Sequence, residues 1–255
     1  TTTDQYAGAT AHEIEDSRPW CELIRQWSTF HPEFAYLPRK FKIAVCGSDH
    51  DRAATQVHDI GLYMVRNATG ETGFRVLVGG GLGRTPMIGK EIREFLRKEH
   101  LLSYLDAILR VYNRGGRRDN KFKARIKIQV KETGVEAFRD QVEREWALLK
   151  DGPLTLTEAE IQRCKSFFQD PDYRDLPDHS EGLEAALRQD ILFSNWYERN
   201  VAEHKRPGYA IATVSLKPVG TAPGDVTSRQ MRFIADVADR YSFGELRVTH
   251  NQNVV

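Results

Sequence analysis

Residues 18–30, RPWCELIRQWSTF, place Trp20, Leu23, Ile24 and Trp27 on one stripe at helical spacing. HPEFAYLP breaks that helix, and Pro38 pushes Leu37 towards extended geometry. RKFKIAVCG then predicts a strand closing at Gly47. DRAATQVHDIGLYMVRNATGETGFRVLVGGGLG predicts two strands joined by a turn at NATGETG. TPMIGKEIREFLRKEH predicts a helix with Thr85 as N-cap and Pro86 at its first position, continued by LLSYLDAILRVYNR. GVEAFRDQVEREWALLK is amphipathic, with Val135, Phe138, Val142, Trp146 and Leu149 on one stripe. From 151 to 207 short helices alternate with polar loops such as QDPDYRDLPDHSEG. From Gly208, YAIATVSLKPVG predicts a strand and TSRQMRFIADVADRY a helix with Met231, Ile234, Val237 and Tyr241 inward. GELRVTHNQNVV then predicts a second strand, on which Arg247, Thr249, Asn251 and Asn253 share a face. There is no tandem repeat and no low-complexity tract.

Composition narrows the class. A chain of 255 residues holds one large domain or two smaller ones. With 29% charged and 40% hydrophobic residues it reads as soluble and globular, and the net charge of +1 gives no global pull towards nucleic acid. No apolar run of about 18 residues predicts a membrane span, and no signal peptide opens the chain, so a cytoplasmic location is expected. Cys21, Cys46 and Cys164 form no CxxC pair and no metal-ligand cluster, so three reduced thiols and no metal ligands are expected. The chain opens on TTTDQ without Met and stops within an apolar run, which predicts a piece of a longer protein.

Four stretches could carry chemistry. Lys40 and Lys42 share a strand face with Phe41 and Ile43 opposite; two ammonium groups about 6–7 Å apart disfavour each other's charge unless an anion sits between them or one gives up a proton. An ordinary solvated edge accommodates them too. In VLVGGGLGRTP three glycines follow a strand, so backbone can approach a ligand there. Neither a GxGxxG nor a GK[ST] motif is present, and a tight turn is the plainer alternative. RVYNRGGRRDNKFKARIK, residues 110–127, holds eight Lys and Arg against one Asp, a polyanion site or a solvated charge run. Only Tyr112 and Phe122 could stack on bases there, so nucleic acid is not expected. The polar face of RVTHNQNVV suits a surface or a ligand wall. His31, His58 and His250 read as structural or surface residues.

In combination FAYLPRKFKIAV, VLVGGGLG, NKFKARIK followed by GVEAFRDQVE, and GELRVTHNQNVV after TSRQMRFIADVA resemble the siroheme-containing nitrite and sulfite reductases. The segments occur in that family's order, and 151–205 matches least. The resemblance implies an α+β fold of mixed and antiparallel sheets flanked by helices. It implies a siroheme-binding domain over 1–150, a helical connector over 151–205 and a ferredoxin-like half-domain over 206–255. It implies that Lys40 and Lys42 bind the anionic substrate and help deliver protons. Gly79, Gly80, Gly81 and Leu82 would pass close beside the macrocycle, with Arg84 alongside. Lys123 and Arg125 would pair with its carboxylates, and Asn251 and Asn253 would line it. The family's [4Fe-4S] cysteines lie beyond the NQN strand, outside this chain, so the chain alone is expected to be inactive. The activity implied is six-electron reduction of sulfite to sulfide in assimilation, with nitrite to ammonia as the alternative. Electrons would come from ferredoxin or a flavoprotein reductase. Rival expectations are a non-catalytic polyanion-binding α+β protein built around 110–127, and a homologue that keeps the fold without the cofactor.

Overall fold

A five-stranded mixed sheet carries the first of two units in the computed structural model, which describes all 255 residues. This unit comprises residues 1–4 and 13–169. Its elements are β1 (Thr2–Thr3), α1 (Arg18–Ser28), α2 (Pro32–Ala35), β2 (Ile43–Cys46), β3 (Ile60–Arg66), β4 (Thr72–Val78), β5 (Lys90–Arg97), α3 (Leu101–Gly115), α4 (Ile126–Thr133), α5 (Val135–Leu149) and α6 (Glu158–Lys165). The strands lie in chain order; β1, β2 and β3 are parallel, and β3, β4 and β5 antiparallel. Asn67 shapes the β3–β4 turn by accepting the Thr69 and Glu71 N–H groups on its side-chain oxygen.

Strand alternation sends Ile60, Leu62 and Met64 of β3 and Phe74, Val76 and Val78 of β4 into one core. Against them lies α3, buried at almost every position from Leu101 to Tyr112, as expected of a helix apolar on most sides. The α1 stripe adds Trp20, Leu23 and Ile24; the α5 stripe adds Phe138 and Val142, with Val135, Trp146 and Leu149 at its margin. The opposite sheet face holds a smaller cluster of Cys46, Tyr63 and Leu77.

The helix expected from Thr85 is instead edge strand β5. Ile92 and Leu96 are four apart, a spacing that a helix and a pleated strand both place on one side. Pairing with β4, through an irregular register, decides for the strand. Lys90, Glu91, Glu94 and Arg97 lie exposed along it, the charged composition that blunts a free edge.

Glu15 ties the periphery together. Its carboxylate accepts from Trp20 Nε1, Thr72 Oγ1 and Lys98 Nζ, and pairs with Lys165 Nζ at 3.0 Å. Burial alone would raise its pKa; the hydrogen bonds and charges of the two lysines outweigh it and hold the carboxyl below its ordinary range.

The second unit comprises residues 5–12 and 170–255. It contains α7 (Glu181–Gln189), α8 (Ile191–Asn200), β6 (Val201–Glu203), β7 (Ala210–Ala212), β8 (Val214–Ser215), α9 (Ser228–Tyr241) and β9 (Asn253–Val254). β6 pairs with β7, and β8 with β9, both antiparallel. Tyr173, His204, Tyr209 and Phe243 form an aromatic group. A capping box between Thr227 and Gln230 starts α9. Two expectations change here. Within this chain Met231, Val237 and Tyr241 of α9 stay exposed and only Ala238 is buried, because the small β8–β9 pair offers no apolar surface broad enough to cover the stripe. The terminal strand is a tight hairpin rather than a continuous run: Arg247 and Val255 exchange hydrogen bonds around a turn in which Gln252 has φ 59°.

Phe138 is fully buried, so Phe138→Ala is expected to cost about 3–5 kcal/mol, read by denaturant unfolding. Glu15→Gln is expected to cost about 1–3 kcal/mol at pH 7. Because the folded carboxyl titrates below its unfolded value, that contribution is present above about pH 4.5 and disappears as pH falls through the folded pKa. Melting curves of the two proteins should therefore converge as pH is lowered through the folded pKa.

Candidate functional site

Regular strand geometry begins at Ile43, so Lys40 and Lys42 lie on the loop entering β2 and not on the strand itself. Alternation persists through that loop: Lys40 and Lys42 are exposed, Phe41 is partly buried and Ile43 buried. The Phe41 ring packs 5.6 Å from that of Tyr112, whose hydroxyl donates to Ala124 O at 2.6 Å. Arg118 Nη1 donates to Tyr36 O at 2.7 Å. The lysine segment is thereby held from within by α3 and the loop that follows it.

The glycines leave β4 and do not enter a helix. Gly79 has φ 80° and donates its N–H to Asp59 O at 3.0 Å. A Cβ at Gly80 would stand 2.4 Å from Gln56 O and 2.5 Å from His58 O, so no other residue fits there. Gly81 and Met87 exchange N–H to O bonds of 2.9 and 2.8 Å, closing a small loop on which Leu82 and Arg84 are exposed. Lys127, buried, enters that loop from α4 and donates to Leu82 O at 3.1 Å and Thr85 O at 2.6 Å. Burial and the neighbouring Arg125 charge both push its ammonium pKa down.

The basic run divides by use. Arg110 pairs with Asp106, Arg114 with Glu145 and Arg117 with Asp119. Arg118 and Lys127 donate to main-chain carbonyls. Arg125, at the N-terminus of α4, donates through Nε at 3.1 Å and Nη2 at 2.8 Å to Asp59 Oδ1. Arg125 is thus committed to an internal carboxylate on one edge and presents Nη1 towards Gly81. Lys123 stays exposed on the preceding loop.

Asp59 escaped the sequence reading, yet it joins these segments. It is fully buried; besides Arg125 it accepts the Lys42 N–H on Oδ2 at 2.9 Å. Burial pushes its carboxyl upward and the Arg125 charge opposes that. The available signal was a lone acidic residue directly before the apolar strand IGLYMV. Beside it His58 donates from Nδ1 to Ala54 O at 2.8 Å, which leaves Nε2 as the unprotonated nitrogen of the neutral ring. Burial lowers the His58 pKa and the Lys42 charge lowers it further.

The structure therefore brings Lys40, Lys42, Gly79, Gly80, Gly81, Leu82, Arg84, Lys123 and Arg125 onto connected segments of one unit. Asn251 and Asn253 belong to the second unit. There Asn251 O accepts from Lys217 Nζ, and Asn253 Oδ1 accepts the Leu216 N–H.

A carboxylate-rich macrocycle fits the first unit. No acidic side chain pairs with Lys40, Lys42, Arg84 or Lys123, and Leu82 and Arg84 stand exposed beside the buried glycines, with Arg125 Nη1 against Gly81. The chain's thiols do not fit an iron–sulfur cluster. All three are free and two are buried; burial pushes Cys21 up to about 12 and Cys46 up to about 11, away from the thiolate form. No group of three or more His, Cys, Asp or Glu is placed to hold a metal ion. No helix is long and apolar enough to cross a membrane.

Comparison with known proteins identifies the family. Residues 1–149 match the nitrite and sulphite reductase 4Fe-4S domain, and residues 205–255 the nitrite/sulfite reductase ferredoxin-like half domain. The chain is 28% identical to the assimilatory ferredoxin-dependent nitrite reductase of Haloferax mediterranei, over 98% of this chain and 39% of that protein. It is 31% identical to sulfite reductase [ferredoxin] 1 of Mycolicibacterium paratuberculosis, over 63% of this chain and 30% of that protein. The NirA protein of Mycobacterium tuberculosis shares the fold, with a TM-score of 0.67 at 23% identity, over 100% of this chain and 39% of that one. The chain thus spans about two fifths of the length of these full-coverage relatives. The first family model alone covers more than half of the chain, and this protein is a member of the nitrite and sulphite reductase family.

Proposed function

We propose that this chain forms the anion-binding part of an assimilatory sulfite reductase that reduces sulfite to sulfide. The observation that carries the reading is that Lys40, Lys42, Arg84 and Lys123 have no acidic partner, while the Lys42 segment, the glycine loop and Arg125 are joined through Asp59. Nearly every other cation of the basic run is consumed internally. That division also weighs against a general polyanion-binding protein, which would leave the whole run free. The cofactors of the family are siroheme and a [4Fe-4S] cluster. Siroheme, when bound, supplies the iron at which the oxyanion is reduced and the electrons arrive.

Lys40 and Lys42 hold the anion and deliver protons to it. Arg84, Lys123 and the Nη1 edge of Arg125 meet carboxylates of the macrocycle. Gly79, Gly80 and Gly81 would set the course of the loop beside the macrocycle, with Leu82 exposed on it. The proposed division is a siroheme-binding domain over 1–150, a connector over 151–205 and a half-domain over 206–255. Electrons reach the assembled enzyme from ferredoxin or a flavoprotein, and it works in the cytoplasm. Nitrite is the second reading, favoured by the full-coverage similarity to a nitrite reductase.

In the complete enzyme Lys40→Met and Lys42→Met are each expected to lose about tenfold or more in turnover, within the range of acid–base and anion-binding groups. Siroheme content, read by absorption, should stay unchanged. Wild-type turnover in either variant would remove the proposed role. Comparison of kcat/KM for sulfite and nitrite on the same preparation assigns the substrate.

A further inference from the structure

Asp59 occupies a position that no motif accounts for. Its side chain is fully buried, and its carboxylate hydrogen-bonds lead to Lys42 and Arg125, both on segments of the candidate site. Lys42 is gripped on both sides of its Cα: its N–H donates to Asp59 Oδ2 at 2.9 Å, and its carbonyl accepts the Ile60 N–H at 3.2 Å. Asp59 Oδ1 takes the Nε and Nη2 edge of Arg125, so the guanidinium cannot swing and its Nη1 faces Gly81. The Asp59 main-chain oxygen takes the N–H of Gly79. One residue therefore fixes the root of Lys42, the plane of Arg125 and the first turn of the glycine loop.

Resting on the reductase reading above, we infer that Asp59 is a positioning residue of the anion pocket, setting where Lys42 and Arg125 stand with respect to the bound oxyanion. It does not touch substrate and acts through those two cations. A charge-only role makes the opposite forecast. Removing the carboxylate leaves the pocket more cationic, which by itself would strengthen anion binding. Loss of positioning weakens binding in spite of the added positive charge. The sign of the change in KM therefore separates the two.

The test uses the complete holoenzyme carrying Asp59→Asn, which keeps the side-chain volume, and Asp59→Ala. KM for sulfite and for nitrite is expected to rise about tenfold or more in both, with siroheme absorption retained, a change of about 1.4 kcal/mol or more. Amide hydrogen exchange is expected to quicken in residues 37–45 and 79–88 while α3 stays protected. An unchanged or lower KM overturns the inference. So does exchange that rises evenly through α3, which would make Asp59 an ordinary core residue. Should the wild-type enzyme reduce neither anion, the reductase reading falls. The exchange pattern of Asp59→Asn then still decides for Asp59: local quickening upholds its positioning of the two segments, and a wild-type or uniform pattern overturns it.

Discussion

The buried carboxylate of Asp59 is the constraint on which the rest of the site depends. Taking a carboxylate out of water costs several kcal/mol, and it is tolerated only with close compensation. Here compensation comes from one main-chain N–H and two N–H groups of a guanidinium. Those donors belong to segments far apart in sequence, so satisfying the charge forces them together. The glycine loop follows, because Gly80 packs against the carbonyls of Gln56 and His58 just before Asp59.

Much of this was legible in the sequence, and what was not has identifiable causes. The stripes of α1 and α5 announce themselves because their apolar residues recur along three or four turns and meet a broad core. The hairpin of β3 and β4 is marked by alternating apolar residues around Asn67 and Gly70. β5 is hidden in the sequence because an edge strand with Ile92 and Leu96 inward and charges outward satisfies helical spacing as well. The α9 stripe was read correctly as amphipathic, but sequence does not say where its partner lies. Lys40, Lys42 and the glycines stood out by composition. Asp59 did not, since a single acidic residue carries no pattern until its distant partners, Lys42 and Arg125, are placed beside it.

The basic run shows how one composition serves two purposes. Arg110, Arg114 and Arg117 stitch helices and loops to Asp106, Glu145 and Asp119, and two of these pairs are partly exposed and individually worth little. Lys127 spends its charge on carbonyls that would otherwise bend the Leu82–Thr85 loop elsewhere. Lys40, Lys42, Arg84 and Lys123 receive no such internal use. Net charge, at +1, conceals this division within the run, because it sums the paired and the unpaired cations alike.

The mixed sheet also dictates an order of assembly. β3 and β4 follow one another through a short turn, so they can pair early by local hairpin closure on the microsecond scale, about 1–10 μs for a single hairpin, and β5 adds through the longer glycine loop. The parallel strands need longer closures: Thr2 pairs with Ala44, and Asp59 meets Arg125 across 66 residues. Such closures carry their entropy cost before any contact repays it, which makes them late events. The cations around the glycine loop are therefore gathered only after the sheet and α3 have condensed. A half-made chain therefore lacks the Asp59–Arg125 link, and on the proposed reading an acidic cofactor would meet its cations only in the finished fold.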